Sequence, residues 1–139
     1  MAGEDALVSI DILDPEGWPR PNGYSNGVAA SGRMIFVAGQ IGWNPTTGEF
    51  ESDDLVEQVR QALRNVVAVL ATGGTGPEHI VRMTWYVLDR GEYLARGREI
   101  GQAYRDVIGR HYPTMTAVEV SALIEARAKV EIEVTAVGP

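Results

Sequence analysis

Apolar residues recur at helical spacing in one segment near the middle of the chain. Between residues 55 and 70 they are three or four positions apart, which places them along one face of an amphipathic helix. Ser52 is the predicted N-cap, and the two aspartates after it lie in the first turn, where the helix dipole favours negative charge. Gly73 and Gly74 end the pattern. The segment therefore predicts a long helix with one buried face.

The other apolar segments are shorter. A second helix is predicted over residues 93–108, although Gly97 and Gly101 each lower its stability by about 1 kcal/mol. Strands are predicted where residues alternate or form short apolar runs, at 7–13, 28–38 around a turn at 31–33, 80–88, 115–123 and 129–137. The order predicts an α+β fold, a six-stranded mixed sheet with two long helices packed on one face. The other face mixes polar and apolar residues, which suits packing against further subunits.

Length and charge narrow the class of protein. The 139 residues predict a single domain, 1–139, large enough to bury its own core. The formal net charge of −7 repels a phosphate backbone. The arginines between Arg90 and Arg110 alternate with acidic residues, a pattern typical of a solvated helix face. We therefore expect no nucleic-acid partner.

The chain contains no cysteine, which excludes disulfides, thiolate metal sites and cysteine nucleophiles. Residues 1–13 carry only acidic charges, so they do not resemble a secretory signal. No apolar run approaches the roughly 20 residues of a membrane span. The sequence thus predicts a cytoplasmic protein with no membrane partner.

No phosphate loop, hydrolase nucleophile motif or metalloprotease motif is present. His79 and His111 lie far apart and lack carboxylates at ligand spacing, so no metal site and no cofactor are predicted.

Two carboxylates and three aromatic side chains are candidates for chemistry. Glu119 and Glu131 lie inside predicted strands, where they either face solvent or, if sheltered, exchange protons with a substrate. Tyr24 follows a loop rich in Pro and Gly, which suits a binding or interface role. Trp85 and Tyr86 are adjacent in a strand and so face opposite sides, one toward the core and one free to line a pocket.

Several short segments occur in an order shared with one known family. They are Gly-Tyr-Ser at 23–25, IFVAGQI at 35–41, NPTTGE at 44–49, QVRQALRNV at 58–66, HIVRMT at 79–84, YPTMTAVEV at 112–120 and VEIE at 130–133. Together they resemble the RidA/YjgF family. The resemblance extends from Tyr24 to Val137.

The resemblance implies a YjgF/chorismate-mutase-like homotrimer. Three sheets form a central barrel-like core with the helices outside, and a cleft lies at each subunit interface. It also implies hydrolysis of reactive enamines and imines, such as 2-aminoacrylate, to keto acids and ammonia. In the family an arginine binds the substrate carboxylate bidentately, a glutamate on the last strand handles water, and a tyrosine of the N-terminal loop closes the pocket.

Position by position, the match to this family is incomplete. Tyr24 and Glu131 keep the tyrosine and the glutamate, and they are the predicted catalytic residues. The arginine position is Met115, which has no donors, and the family's helical asparagine falls on Gly101. The predicted substrate-binding residues are Ala38, Gly39, Gln40, Trp85, Met115, Thr116 and Ala117.

The missing arginine narrows the function. Loss of a buried, charge-assisted pair costs about 2–5 kcal/mol of binding, so efficient turnover of 2-aminoacrylate-type imines is not expected. The sequence predicts a deaminase for another imine or enamine, such as a 2-aminomuconate-like one, with Glu131 delivering water. Arg82 and Arg127 are alternative sources of a guanidinium.

Two alternatives stay open. One is a non-catalytic trimer that binds a small ligand in the same intersubunit clefts. The other is RNA cleavage, an activity attributed to some relatives of this family, which the acidic charge of the chain disfavours.

Overall fold

The computed structural model describes residues 8–139, and its elements follow the predicted order. The strands are β1 (Ser9–Leu13), β2 (Gly27–Ser31), β3 (Arg33–Ile41), β4 (Ile80–Val87), β5 (Thr114–Glu119) and β6 (Val130–Gly138). The helices are α1 (Leu55–Thr72), α2 (Arg90–Ala95) and α3 (Gly97–Val107), and a 3₁₀ turn (Pro77–His79) precedes β4. The α+β class is confirmed. The start of the predicted first strand, residue 7, lies outside the described residues.

The strands form two sheets, so the prediction of one six-stranded sheet is wrong. β1 pairs with β2, and the other strands form a mixed sheet in the order β3-β6-β4-β5, in which β4 and β5 run parallel. The division falls at Gly32, the one residue between β2 and β3. Its φ of 145° favours glycine, and a Cβ there would lie 2.8 Å from the carbonyl oxygen of Gly138. Strand pairing depends on such local geometry, which periodicity does not report.

The hydrophobic core lies between the four-stranded sheet and the helices. Every second residue of β6 faces α1, and these residues are 1% exposed or less: Val130, Ile132, Val134 and Ala136. The apolar face of α1 covers them with Val59, Leu63, Val66 and Leu70, all fully buried. Alternation along the strand thus fixes which β6 residues remain on the opposite face, among them Glu131 and Glu133.

Both helix predictions need correction at one point. Asp54, not Ser52, is the N-cap of α1, because its carboxylate accepts the backbone N–H of Glu57 at 3.1 Å. The Ser52 hydroxyl instead accepts the N–H of Asp54. The single helix expected over residues 93–108 is divided into α2 and α3 at Arg96, directly before Gly97.

None of the described elements covers the second face of the four-stranded sheet. Two apolar side chains of β3 are exposed there, Met34 at 57% and Phe36 at 71%, and Val118 of β5 is 41% exposed. We call this surface, which also includes Thr84 and Glu133, the open face. Among residues 8–139, no helix is long and apolar enough to cross a membrane.

Candidate functional site

Glu131 lies on β6 beside the end of β3, where its side chain is half-buried. A Cβ built on Gly39 would overlap Glu131 Oε2, so the carboxylate occupies space that any larger residue at position 39 would fill. The β3–β6 ladder is irregular between Val37 and Gln40, as is common beside functional sites. The structure therefore brings Glu131, Gly39 and Gln40 together.

These residues line a shallow recess of about 280 Å³, which we call the Glu131 recess; its walls include Ile41, Trp43 and Ile124. Buried Asn65 of α1 holds one wall, because its Nδ2 donates to the carbonyls of Ile41 at 3.1 Å and Trp43 at 3.0 Å. The recess is thus fixed from the helix beneath it.

A second amide holds the chain that leads into β6. Gln58 of α1 is 1% exposed, and its Nε2 donates to the carbonyls of Ser52 and Arg127. Its Oε1 accepts the backbone N–H of Lys129 at 2.8 Å. The start of the strand that carries Glu131 is therefore anchored to the core.

Met115 lies on the opposite face of the same sheet. In the parallel β4–β5 pair it is in register with Met83, and Ala117 is in register with Trp85, so Met115 faces the helices. It contributes to a cleft of about 460 Å³ between β5 and α3. We call this the helix-side cleft; its lining includes Trp85, Arg98, Gly101, Tyr104, Arg105 and Met115.

The floor of the helix-side cleft is aromatic. Tyr104 stacks on Tyr112, with ring centroids 5.7 Å apart, and its hydroxyl donates to the carbonyl of His111. Burial, reinforced by the neighbouring Tyr112 hydroxyl, raises the pKa of Tyr104, and burial also raises the pKa of Tyr93. Both phenols therefore stay neutral near pH 7.

Trp85 belongs to both the core and this floor. It is 1% exposed, and its Nε1–H is buried with no hydrogen-bond partner in the part of the chain that the structure describes. Tyr86, the next residue, faces the other side of the sheet and donates weakly to Glu133 at 3.5 Å. Of the two adjacent aromatic residues, Trp85 is therefore the core residue, as one of them was expected to be.

Tyr24 lies beside the start of β5. The next residue, Ser25, forms a bridge with Thr114, and its N–H and hydroxyl donate to the carbonyls of Pro113 at 3.0 Å and Tyr112 at 2.6 Å. Tyr24 is 41% exposed and lines a separate cleft of about 880 Å³, whereas the preceding Gly23 borders the helix-side cleft. Tyr24 is thus near the Met115 side of the molecule.

The remaining predicted binding residues lie apart from one another. Ala38 lines a groove on the open face with Arg82 and Glu133. Thr116 is in register with Thr84, also on the open face, and Ala117 is exposed on the edge strand β5. One subunit therefore divides the predicted set between two faces of its sheet.

A family model described as Endoribonuclease L-PSP matches residues 19–138. The chain belongs to the RidA/YjgF family. It is 33% identical over 114 residues to a RutC family protein of Pyrococcus horikoshii, covering 81% of this chain and 86% of the relative. It is 29% identical over 117 residues to human 2-iminobutanoate/2-iminopropanoate deaminase, covering 84% and 81% of the two chains.

Solved structures of the family have the same fold. YyfB of Yersinia pestis, a protein of the conserved Rid family, superposes with a TM-score of 0.81 at 31% identity, covering 92% of this chain and 98% of its own. Escherichia coli TdcF, solved with bound serine, gives a TM-score of 0.67 at 32% identity, covering 93% and 99%.

In this RidA/YjgF chain, neither arginine considered from the sequence lies in the helix-side cleft. Arg82 is on the open face, and Arg127 pairs with Asp53 at 2.8 Å and lies over the Phe50 ring at 5.5 Å. Sequence reasoning missed Arg98 and Arg105, which do line the cleft. Their seven-residue spacing on one helix was the available signal, and the neighbouring acidic residues Glu99 and Asp106 obscured it.

Proposed function

We propose that the chain is a homotrimeric imine or enamine deaminase whose substrate differs from the small imino acids handled through a strand arginine. The observation that carries the proposal is the half-buried Glu131 carboxylate, seated over Gly39 beside an open recess. The name of the human relative, a 2-iminobutanoate/2-iminopropanoate deaminase, supports the reaction class.

Glu131 is the proposed group that handles water. It accepts a proton as the water oxygen bonds to the imine carbon and the C=N electron pair moves to nitrogen, and it then passes that proton to the nitrogen. Glu131 next takes the hydroxyl proton of the carbinolamine and passes it to the amine, which leaves as ammonia while the carbon becomes a carbonyl. One water is consumed and one ammonia released, and an enamine first tautomerises to its imine by moving a proton from nitrogen to carbon.

The trimer is proposed because Met115 and Glu131 lie on opposite faces of one sheet. An active site that combines the helix-side cleft with the Glu131 recess therefore requires a second copy of the chain. The exposed side chains of Met34 and Phe36 on the open face supply an apolar surface for this association. Each proposed active site thus takes Glu131 from one subunit and Met115 from its neighbour, with Tyr24 in the adjoining cleft.

Met115 changes the proposed substrate. The Met115 thioether cannot form an ion pair with a substrate carboxylate, so the chain lacks the strand arginine that would bind the smallest imino acids. Met115 instead adds apolar surface next to Trp85 and Tyr104. The same substitution favours a second candidate function, binding of a small ligand without turnover. Glu131 distinguishes the two, because only the deaminase needs its carboxylate.

The test measures ammonia release from a panel of imines and enamines generated in place, including 2-iminopropanoate and 2-aminomuconate. We expect faster release than in buffer for at least one compound, and a loss of about 100-fold or more in Glu131→Gln. Glu133→Gln is the matched control, since Glu133 lies two residues along the same strand on the same face. No acceleration with any compound, or equal rates for wild type and Glu131→Gln, would contradict the proposal.

A further inference from the structure

Two arginines of α3 border the helix-side cleft. Arg98 and Arg105 are seven residues apart, about 10 Å along the axis, and therefore lie on the same face of the helix. Arg105 is half-buried and Arg98 is exposed. Together they place two positive charges at the rim of a cleft whose floor is aromatic.

Neither arginine forms an ion pair within the described part of the subunit, although Arg105 attracts the carboxylate of Asp106 at longer range. Arg105 Nη2 donates to the neutral amide oxygen of Gln102 at 3.2 Å. Asp106, the adjacent acid, is held instead by Arg60 at 2.8 Å and by Gln102 at 2.7 Å. Among residues 8–139, no carboxylate forms an ion pair with Arg98 or Arg105. Both guanidiniums are therefore available to an acidic ligand.

The Arg105 side chain folds back towards Gly101 on the same helix. A Cβ built on Gly101 would stand 3.3 Å from Arg105 Nη1, which is tighter than most such contacts. The guanidinium therefore lies against the helix surface where a side chain at position 101 would crowd it. Met115 removes a charge from the strand side of this cleft, and Gly101 makes room for one on the helix side.

Trp85 forms part of the apolar floor of this cleft. It borders the cleft and is 1% exposed. Its Nε1–H has no partner among the described residues and almost no exposed surface, so Trp85 offers a ligand aromatic surface rather than a hydrogen bond.

The geometry points to an acidic substrate that is held from the helix rather than from the sheet. Arg105 binds one carboxylate of the imine or enamine, and Arg98 binds a second acidic group, so that a dicarboxylic substrate is preferred over a monocarboxylic one. The apolar body lies between them on Trp85 and Tyr104. This inference rests on the proposed function for the reaction that follows binding.

The test uses two unreactive acids, adipate and hexanoate, titrated into the purified protein by calorimetry. We expect adipate to bind more tightly than hexanoate, and Arg105→Ala to weaken both by about tenfold or more. Arg98→Ala weakens adipate to the level of hexanoate and leaves hexanoate unchanged. Arg64→Ala is the control, since Arg64 is exposed on α1 outside the cleft. An unchanged Kd for adipate in Arg105→Ala, or no saturable binding by the wild type, would overturn the inference.

Two further variants separate folding from binding and binding from chemistry. Met115→Arg in the Arg105→Ala background should restore hexanoate binding, and a folded double variant that does not bind hexanoate contradicts the placement of the carboxylate in this cleft. Glu131→Gln should still bind adipate, because the two arginines that hold it are unchanged. Arginine-dependent adipate binding without ammonia release from any imine contradicts the proposed function alone. Ammonia release with an unchanged KM in Arg105→Ala contradicts this inference alone.

Discussion

The carboxylate of Glu131 lies against Gly39, in space that a Cβ on residue 39 would overlap. Gly39→Ala should therefore displace the carboxylate. Because the overlapping atoms belong to the end of a flexible side chain, we expect the variant to fold and ammonia release to fall by about 100-fold. Initial rates and a thermal melt check both points.

Gly91→Ala is the matched control for Gly39→Ala. It also adds one methyl group, which meets only Asp89 Oδ1 at 3.3 Å, and it lies outside the Glu131 recess and the helix-side cleft. If Gly39→Ala released ammonia at the wild-type rate, the position of the Glu131 carboxylate against Gly39 would be irrelevant to turnover.

Met115→Arg should restore the binding of small imino acids through an arginine on β5. A bidentate guanidinium–carboxylate pair is worth a few kcal/mol, so we expect kcat/KM for 2-iminopropanoate to rise by about tenfold or more. Met115→Leu conserves volume without adding charge and should leave the value unchanged. Steady-state kinetics of both variants decide the matter, and equal values for the Arg and Leu variants would contradict the proposal.

Asp54 should stabilise α1 in a pH-dependent manner. Its hydrogen bond from Arg96, then that from the Glu57 N–H, lower the pKa of Asp54 below 3.8, against the opposing effect of burial. The stabilisation is thus full above pH 3.8 and is lost as pH falls through the lowered pKa. Asp54→Ala should lower the free energy of unfolding by about 1 kcal/mol at pH 7, mainly through the cap.

Urea unfolding of the Asp54→Ala variant at pH 7 and at acid pH tests this, and its difference from the wild type should shrink in acid. Asp53→Ala is the control, because Asp53 is 71% exposed and makes a surface ion pair with Arg127. That variant should change the free energy by less than about 0.5 kcal/mol. Equal losses in the two variants would argue against the cap.

Gln58→Met should be strongly destabilising despite its similar volume. It leaves the carbonyls of Ser52 and Arg127 and the N–H of Lys129 without their partner. Each such group costs about 1–3 kcal/mol, so we expect a loss of at least about 2 kcal/mol after partial rehydration. Gln61→Met, which removes one partly buried bond to Asn65, should cost far less. Chemical denaturation compares them, and similar losses would contradict the anchoring role of Gln58.

The open face should carry the proposed trimer contact. We expect the protein to sediment at three times its mass of 15.1 kDa, and Phe36→Glu to dissociate it, because Phe36 is 71% exposed on that face. Val69→Glu on the outer side of α1 is the control, since Val69 is 38% exposed. Analytical ultracentrifugation distinguishes the outcomes. A monomeric wild type would exclude the trimer. A Phe36→Glu variant that remains trimeric would show that the contact lies elsewhere.

Local patterns in the sequence were sufficient for most elements. The spacing of apolar residues in α1 and the alternation along β6 are short-range signals, and the structure places both elements within one or two residues of the prediction. The ordered segments between Tyr24 and Val137 were sufficient for the RidA/YjgF family. They also led to Met115 as the position without the family's arginine.

Only the tertiary structure decided which of these residues meet. The register between β4, β5 and β6 places Met115 and Glu131 on opposite faces of one sheet, and a glycine at position 39 admits the carboxylate. The approach of α3 to β5 turns Arg98 and Arg105 from apparent surface charges into residues that line a cleft. Periodicity along the chain reports which side of an element is apolar. It does not report which elements face each other, because that depends on contacts between residues far apart in sequence.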